Sequence, residues 1–189
     1  GNNITKIEGL EQLKKLKILD LGENQIERIE ALDTLSELNV LDLNFNKIEK
    51  MENLNCLNNL LDLILSRNPI RKIENLSNNT NLLNLEIEGT KINNIEGLET
   101  LKKLKSLILN DNEIDSINGL TELKNLNYLS LVSNRIEKIE GLNNLIKLKV
   151  LDLSDNAIKK IEGIVKLKNL EQLHFKHCQI KNIEGLDYS

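Results

Sequence analysis

Apolar and polar positions along this chain recur with a fixed period of 22 residues, without one insertion or deletion. One unit reads Leu16-x-x-Leu19-x-Leu21-x-x-Asn24-x-Ile26-x-x-Ile29-x-x-Leu32-x-x-Leu35, and the frame returns as Leu104, Leu107, Leu109, Asn112, Ile114, Ile117, Leu120 and Leu123. Leu19 and Leu21 are two apart, the spacing of a strand with one face buried. From Ile26 onward the apolar step is three, which suits neither a strand nor an α-helix but fits a tight 3₁₀-like return. Each unit is therefore predicted to be a short strand and a compact helical return, with successive strands side by side and parallel. The predicted class is α/β: a right-handed solenoid with a parallel sheet on its concave face and short 3₁₀ or helical returns on its convex face.

Two polar phases interrupt the apolar frame. Asparagine stands at Asn2, Asn24, Asn46, Asn68, Asn112, Asn134 and Asn156, always two residues before an isoleucine, with Thr90 and Cys178 at the remaining places. The chain must turn after each strand, leaving inward-facing backbone groups without ladder partners, and stacked side-chain amides can supply those bonds. Thr90 and Cys178 are small enough to face inward and bond there too. Glycine marks the second phase at Gly9, Gly97, Gly119, Gly141, Gly163 and Gly185, replaced by Ala31, Asn53 and Asn75. Glycine and asparagine point to left-handed or tightly packed backbone, and Ala31 argues against the left-handed reading. The fourth unit is the least regular: Asn79 replaces a frame leucine, Thr90 replaces asparagine, and Pro69 follows Asn68. It is expected to be a local soft spot.

The 189 residues read as one array, 1–189, of about eight repeats. No apolar run approaches the ~20 residues a membrane-spanning helix needs. Both ends lack the polar terminal repeats that protect a solenoid core, so the chain is expected to be part of a longer protein. Cys56 and Cys178 lie several repeats apart, too far for a disulfide. Two unpaired thiols point to a reducing compartment, cytoplasmic or nuclear. A monomer is expected.

The strand face turned away from the core is the expected binding surface. Its first row holds Ile18, Val40, Asp62, Asn84, Ser106, Tyr128, Val150 and Gln172, and its second Asp20, Asp42, Ile64, Glu86, Ile108, Ser130, Asp152 and His174. Two further rows run from Gly22 to Lys176 and from Glu23 to His177, and include Phe45, Ser66, Arg67, Glu88, Asp111, Val132, Ser154 and Asp155. Nine carboxylates against Arg67 and Lys176 give this face a charge of 2 − 9 = −7, while the whole chain carries −4. The candidate partner-binding residues are Asp20, Asp42, Phe45, Ile64, Glu86, Ile108, Tyr128, Asp152 and His174. Acids mixed with exposed apolar groups suit a basic protein partner. Nucleic acid needs a basic stripe, so this face has the wrong sign for it. The remaining charge reads as an ordinary solvated surface of mixed lysine and glutamate.

His174, His177 and Cys178 form the one cluster that resembles a metal or nucleophile site. Cys178 is expected to turn inward, and nothing supplies an oxyanion hole or an orienting third group. No glycine-rich phosphate loop or zinc-finger spacing occurs. The expectation is no cofactor, no metal and no catalysis.

The string Asn-x-Ile-x-x-Ile-Glu-Gly-Leu-x-x-Leu, from Asn134 to Leu145, resembles the 22-residue leucine-rich repeat across essentially the whole chain. More narrowly, it resembles the subclass typified by the leucine-rich-repeat regulatory subunit of type-1 protein phosphatase. Dynein light chains, the spliceosomal A-prime protein and tubulin-folding cofactors use similar units. Bacterial internalin repeats usually have proline where this chain has Gly97 or Gly141. The phosphatase resemblance implies a regulator that holds the catalytic subunit through acidic residues, here Asp20, Asp42, Glu86 and Asp152, and aromatic ones, here only Phe45 and Tyr128. The alternative is a recognition array within a larger signalling, cytoskeletal or surface-adhesion protein.

Overall fold

The computed structural model describes residues 1–181 and 183; Gly185, Leu186, Asp187, Tyr188 and Ser189 lie outside the described residues. Eight three-residue strands form a single parallel sheet in sequence order: β1 (Ile18–Asp20), β2 (Val40–Asp42), β3 (Asp62–Ile64), β4 (Asn84–Glu86), β5 (Ser106–Ile108), β6 (Tyr128–Ser130), β7 (Val150–Asp152) and β8 (Gln172–His174). The register advances by one repeat at every step, so Leu19 pairs with Leu41, Leu41 with Leu63, and so on to Leu173. The central leucine of each strand points into the solenoid, as alternation demands. So does the leucine or isoleucine two places on, and Leu43, Leu65, Ile87, Leu109, Leu131 and Leu153 are completely buried.

No helix occurs among the described residues, which corrects the α/β assignment and its helical returns. The reason lies in the hydrogen bonding. In each return only the inward-pointing residues close i→i+3 bonds, as Leu35 N–H does to Leu32 (3.0 Å) and Leu38 N–H to Leu35 (3.0 Å). A 3₁₀-helix needs such a bond at every residue. One bond in three gives a string of separate turns, whose leucines all meet the core while the residues between them face water.

Asparagine side chains also tie neighbouring returns together, through bonds that the 22-residue frame alone does not reveal. Asn39 donates to the Asn59 carbonyl (2.9 Å), Asn59 to Ser36 (2.8 Å), Asn81 to Asn58 (2.9 Å) and Asn125 to Lys102 (2.7 Å). The buried ladder is as expected. Asn46, for example, donates to Leu21, Leu43 and Asn44 carbonyls and accepts the Ile26 N–H at 2.9 Å. Cys178 takes its ladder place with the thiol on the Leu153 carbonyl (3.3 Å).

Among the described residues the second polar phase is left-handed at every place, at Ala31 (φ 55°) as well as at Asn53 (56°) and Asn75 (60°). The exception drawn from Ala31 therefore falls: stacking on neighbouring turns holds even an alanine in this conformation. Asn53 and Asn75 add a bond there, to the carbonyls of Ile29 (2.7 Å) and Met51 (2.6 Å) in the preceding repeat.

Three departures accumulate in the fourth repeat. Pro69 has no N–H where Lys47 and Lys91 donate to the preceding repeat's isoleucine carbonyl (2.8 Å each). Thr90 reaches only Asn112 Oδ1 (2.5 Å), and the Ile92 N–H shares that oxygen at 3.2 Å. Asn79 is fully buried; its amide donates to Leu54 and Leu57 carbonyls (3.0 Å each), while its Oδ1 has no partner. Those two carbonyls already accept backbone bonds from Leu57 and Leu60. Asn79→Leu is therefore expected to stabilise the fold by about 1–2 kcal/mol, since it removes a stranded acceptor and restores apolar contact. Urea unfolding of the two chains would measure it; no change in midpoint would mean that the amide bonds outweigh the stranded oxygen.

Candidate functional site

The sheet face is built from the outer residues of each strand, brought into two rows by the parallel register. Ile18, Val40 and Asp62 adjoin in one row, and Asp20, Asp42 and Ile64 in the other. Of the candidate residues, Asp20, Phe45, Tyr128 and His174 are exposed, and Asp42, Ile64, Glu86, Ile108 and Asp152 are half-buried. Ile18 (64% exposed) and Phe45 (52%) are the most open apolar groups on this surface. Ser66, Ser130 and Ser154, expected on the face, are buried, and their hydroxyls bond to the neighbouring repeats. Ser66 bonds Glu86 and the Glu88 N–H, Ser130 bonds Asn110, and Ser154 accepts the Lys176 N–H.

The row that follows the strands turns through left-handed backbone at every repeat, from Glu23 (φ 54°) and Phe45 (48°) to Asp155 (55°) and His177 (56°). This conformation lifts the Phe45 ring to the rim of the face. Little in the residue pattern signals it, since between Glu23 and His177 that phase holds glycine only at Gly89. Arg67, in the same row, lies across Gly89 and bonds both Glu88 and Asp111 at 2.9 Å. Phe45, Arg67, Pro69, Gly89, Thr90 and Lys91 surround a shallow recess there.

The acids are not equivalent. Glu88 and Asp111 share Arg67 as their one cation, Asp155 holds His177 Nδ1 at 2.9 Å, and Glu86 accepts from Ser66 (2.8 Å). Asp20, Asp42 and Asp152 each use one oxygen to accept the N–H two residues on, at Gly22, Asn44 and Ser154 (2.9–3.0 Å), which fixes the turn out of the strand. Their remaining oxygens face outward. Of the face acids without a cationic partner, Asp20, Asp42 and Asp62 lie together on β1–β3, with Ile18, Val40, Ile64 and Phe45, while Glu86 and Asp152 stand singly on β4 and β7.

Burial pushes the Asp42 carboxyl above its usual range; the Asn44 N–H opposes that and neighbouring Asp20 adds to it. A carboxyl raised in the folded state contributes stability below its unfolded pKa of about 3.9, and the contribution is lost as pH rises through the folded value. Ionised Asp42 thus weakens the fold at neutral pH. Asp42→Asn, which keeps the acceptor for Asn44, is expected to raise the melting temperature at pH 7 and to leave it unchanged near pH 3. Equal gains at both pH values would show that charge is not the cause.

His174, His177 and Cys178 do not converge. His177 is held by Asp155, and Cys178 turns inward onto Leu153. Burial raises the Cys178 and Cys56 thiols above their ordinary range, which leaves both weak as nucleophiles near neutral pH. Among the described residues, no group of three or more His, Cys, Asp or Glu side chains is arranged to hold a metal ion. Nor is any helix there long and apolar enough to cross a membrane.

The family model "Leucine Rich repeats (2 copies)" matches residues 1–36, 14–57, 102–144 and 146–188, well over half of the chain. Similar solved structures include internalin C2 of Listeria monocytogenes, 30% identical over 87% of this chain and 73% of that one, with a TM-score of 0.78. A leucine-rich-repeat protein of Leptospira interrogans is 28% identical over 91% of this chain, with a TM-score of 0.83. Internalin InlF of L. monocytogenes is 26% identical over 97% of this chain and 67% of that one, with a TM-score of 0.66. This chain spans 46% of the Leptospira protein's length. No curated protein sequence matches it.

Proposed function

This chain belongs to the leucine-rich-repeat family, and we propose that it is a non-catalytic scaffold that binds a protein partner on its acidic and apolar sheet face. Proteins of this fold are in general interaction modules. The observation that carries the reading is the patch on β1–β3, where Asp20, Asp42 and Asp62 share the face with Ile18 and Phe45, two strongly exposed apolar side chains. A partner with a basic rim around an apolar knob complements that patch: burying the apolar groups supplies affinity, and the acids steer the encounter.

The narrower resemblance makes the type-1 phosphatase catalytic subunit the first partner to test. Titration should compare the native chain with a variant carrying Asp20→Asn, Asp42→Asn, Glu86→Gln and Asp152→Asn. The amides keep the oxygen acceptors that hold the strand exits, so the variant stays folded while the charge is lost. Binding by the native chain, weakened about tenfold or more in the variant, is the expected result. Absence of binding by the native chain removes this partner; equal binding by both removes the acidic face.

A second reading rests on the 46% share of the Leptospira protein that the chain spans. Here the array is the recognition part of a larger signalling, cytoskeletal or surface-adhesion protein, and the same patch captures that protein's target. The unpaired thiols favour a cytoplasmic or nuclear setting, and a monomer fits the single continuous sheet.

A further inference from the structure

Positive charge on the edge that leads into the strands is unevenly distributed. Repeats five to seven carry Lys102, Lys103, Lys105, Lys124, Lys147 and Lys149, with no acid at the same phases, and repeat one carries Lys14, Lys15 and Lys17 there. Equivalent places in repeats two to four hold Ser36, Glu37, Asn39, Asn58, Asn59, Leu61, Thr80, Asn81 and Leu83, without a lysine. The opposite edge alternates signs, as at Lys47, Glu49, Lys50 and Glu52.

Within the basic stretch, Leu83, Lys103, Lys105, Asn125, Asn127 and Lys147 surround a shallow depression. Asparagine amides hold two of its ammonium groups in place: Lys103 Nζ donates to Asn81 Oδ1 and Lys147 Nζ to Asn125 Oδ1, each at 2.7 Å. Each ammonium spends one of its three donors in this way. Among the described residues, no carboxylate lies within ion-pair reach of Lys103, Lys105, Lys124 or Lys147. Lys102 and Lys149 pair with Glu122 (3.9 Å) and Glu171 (2.7 Å), while the four lysines without a carboxylate repel one another, a cost that an anionic ligand would relieve.

We infer that this lysine strip is a second docking surface, and that it takes an acidic, extended polypeptide segment. Three features select that occupant. The strip is only about three residues (~10 Å) wide and borders the acidic sheet face, so a broad polyanion such as a nucleic-acid duplex would overhang like charge. No aromatic or arginine side chain stands on it to stack bases or grip phosphates as a fork. Leu83 and the exposed Ile146 lie among the lysines and give an acidic peptide apolar contacts.

The test is fluorescence anisotropy at low salt with a labelled, glutamate-rich peptide of about a dozen residues, against a single-stranded oligothymidylate of equal charge. The native chain is compared with Lys103→Gln/Lys105→Gln/Lys147→Gln and with Lys47→Gln/Lys50→Gln/Arg71→Gln, which changes charge equally on the opposite edge. Circular dichroism confirms that all three are folded. The expected result is peptide binding that weakens about tenfold or more in the first variant and less than about twofold in the second. No peptide binding, equal loss in both variants, or an oligonucleotide bound as tightly as the peptide would each overturn the proposal. Because the sheet face is untouched, failure here is distinct from failure of the scaffold reading.

Discussion

Asn134→Ala is expected to destabilise the fold by about 3 kcal/mol, with the loss read as a lower urea midpoint. Asn134 is buried and makes four bonds: its amide donates to Leu109 (2.9 Å), Leu131 (3.1 Å) and Val132 (3.2 Å), and its Oδ1 accepts the Ile114 N–H (3.0 Å). The carbonyls keep other donors, since Asn112 also serves Leu109 and Asn156 also serves Leu131. The Ile114 N–H has no such reserve. Stranding a buried amide costs about 1–3 kcal/mol, and the emptied space adds to it. Asn134→Thr should not recover the loss, because the Thr90 hydroxyl donates to the next ladder oxygen, Asn112 Oδ1, and does not take the place of the acceptor that Asn134 offers Ile114. Full recovery by threonine would show that the stranded N–H is not the cause.

Gly119→Ala is expected to cost about 2–4 kcal/mol. Gly119 has a φ of 98°, and a Cβ there would fall on the Ile95 carbonyl oxygen, a backbone atom that cannot swing away. Ala31 and Asn53 occupy the same phase near 55°, where the side chain clears its neighbour. Gly9→Ala provides the control, because nothing lies near its would-be Cβ and only the left-handed backbone is strained, by about 1–2 kcal/mol. Equal losses at Gly9 and Gly119 would show that contact with Ile95 contributes nothing.

The frame was legible in the sequence because each of its positions answers to one local demand. Leu19, Leu41 and their equivalents must face inward, and Asn24, Asn46 and their equivalents must satisfy the turn. The returns were misread because a step of three describes separate turns as well as a helix, and only the pattern of N–H bonds tells them apart. The left-handed row at Glu23, Phe45 and Arg67 was hidden, since neighbouring repeats impose that backbone on whatever residue stands there. At the candidate site, residue numbers gave the composition of the face but not its pairing. Arg67 spans from its own repeat to Asp111, 44 residues on. The buried serines and the lysine strip likewise depend on which side chains the stacking brings together.

The three departures at Pro69, Asn79 and Thr90 have a mechanical consequence. A lattice in which each member grips only its neighbours cannot spread a local loss over the whole, as a globular core does. Strain entering from either end therefore travels until it meets the weakest joint. The fourth repeat is where such an array would crease, with the acidic patch of β1–β3 on one side and the lysine strip on the other, so that a small bend there would change the distance between the two surfaces.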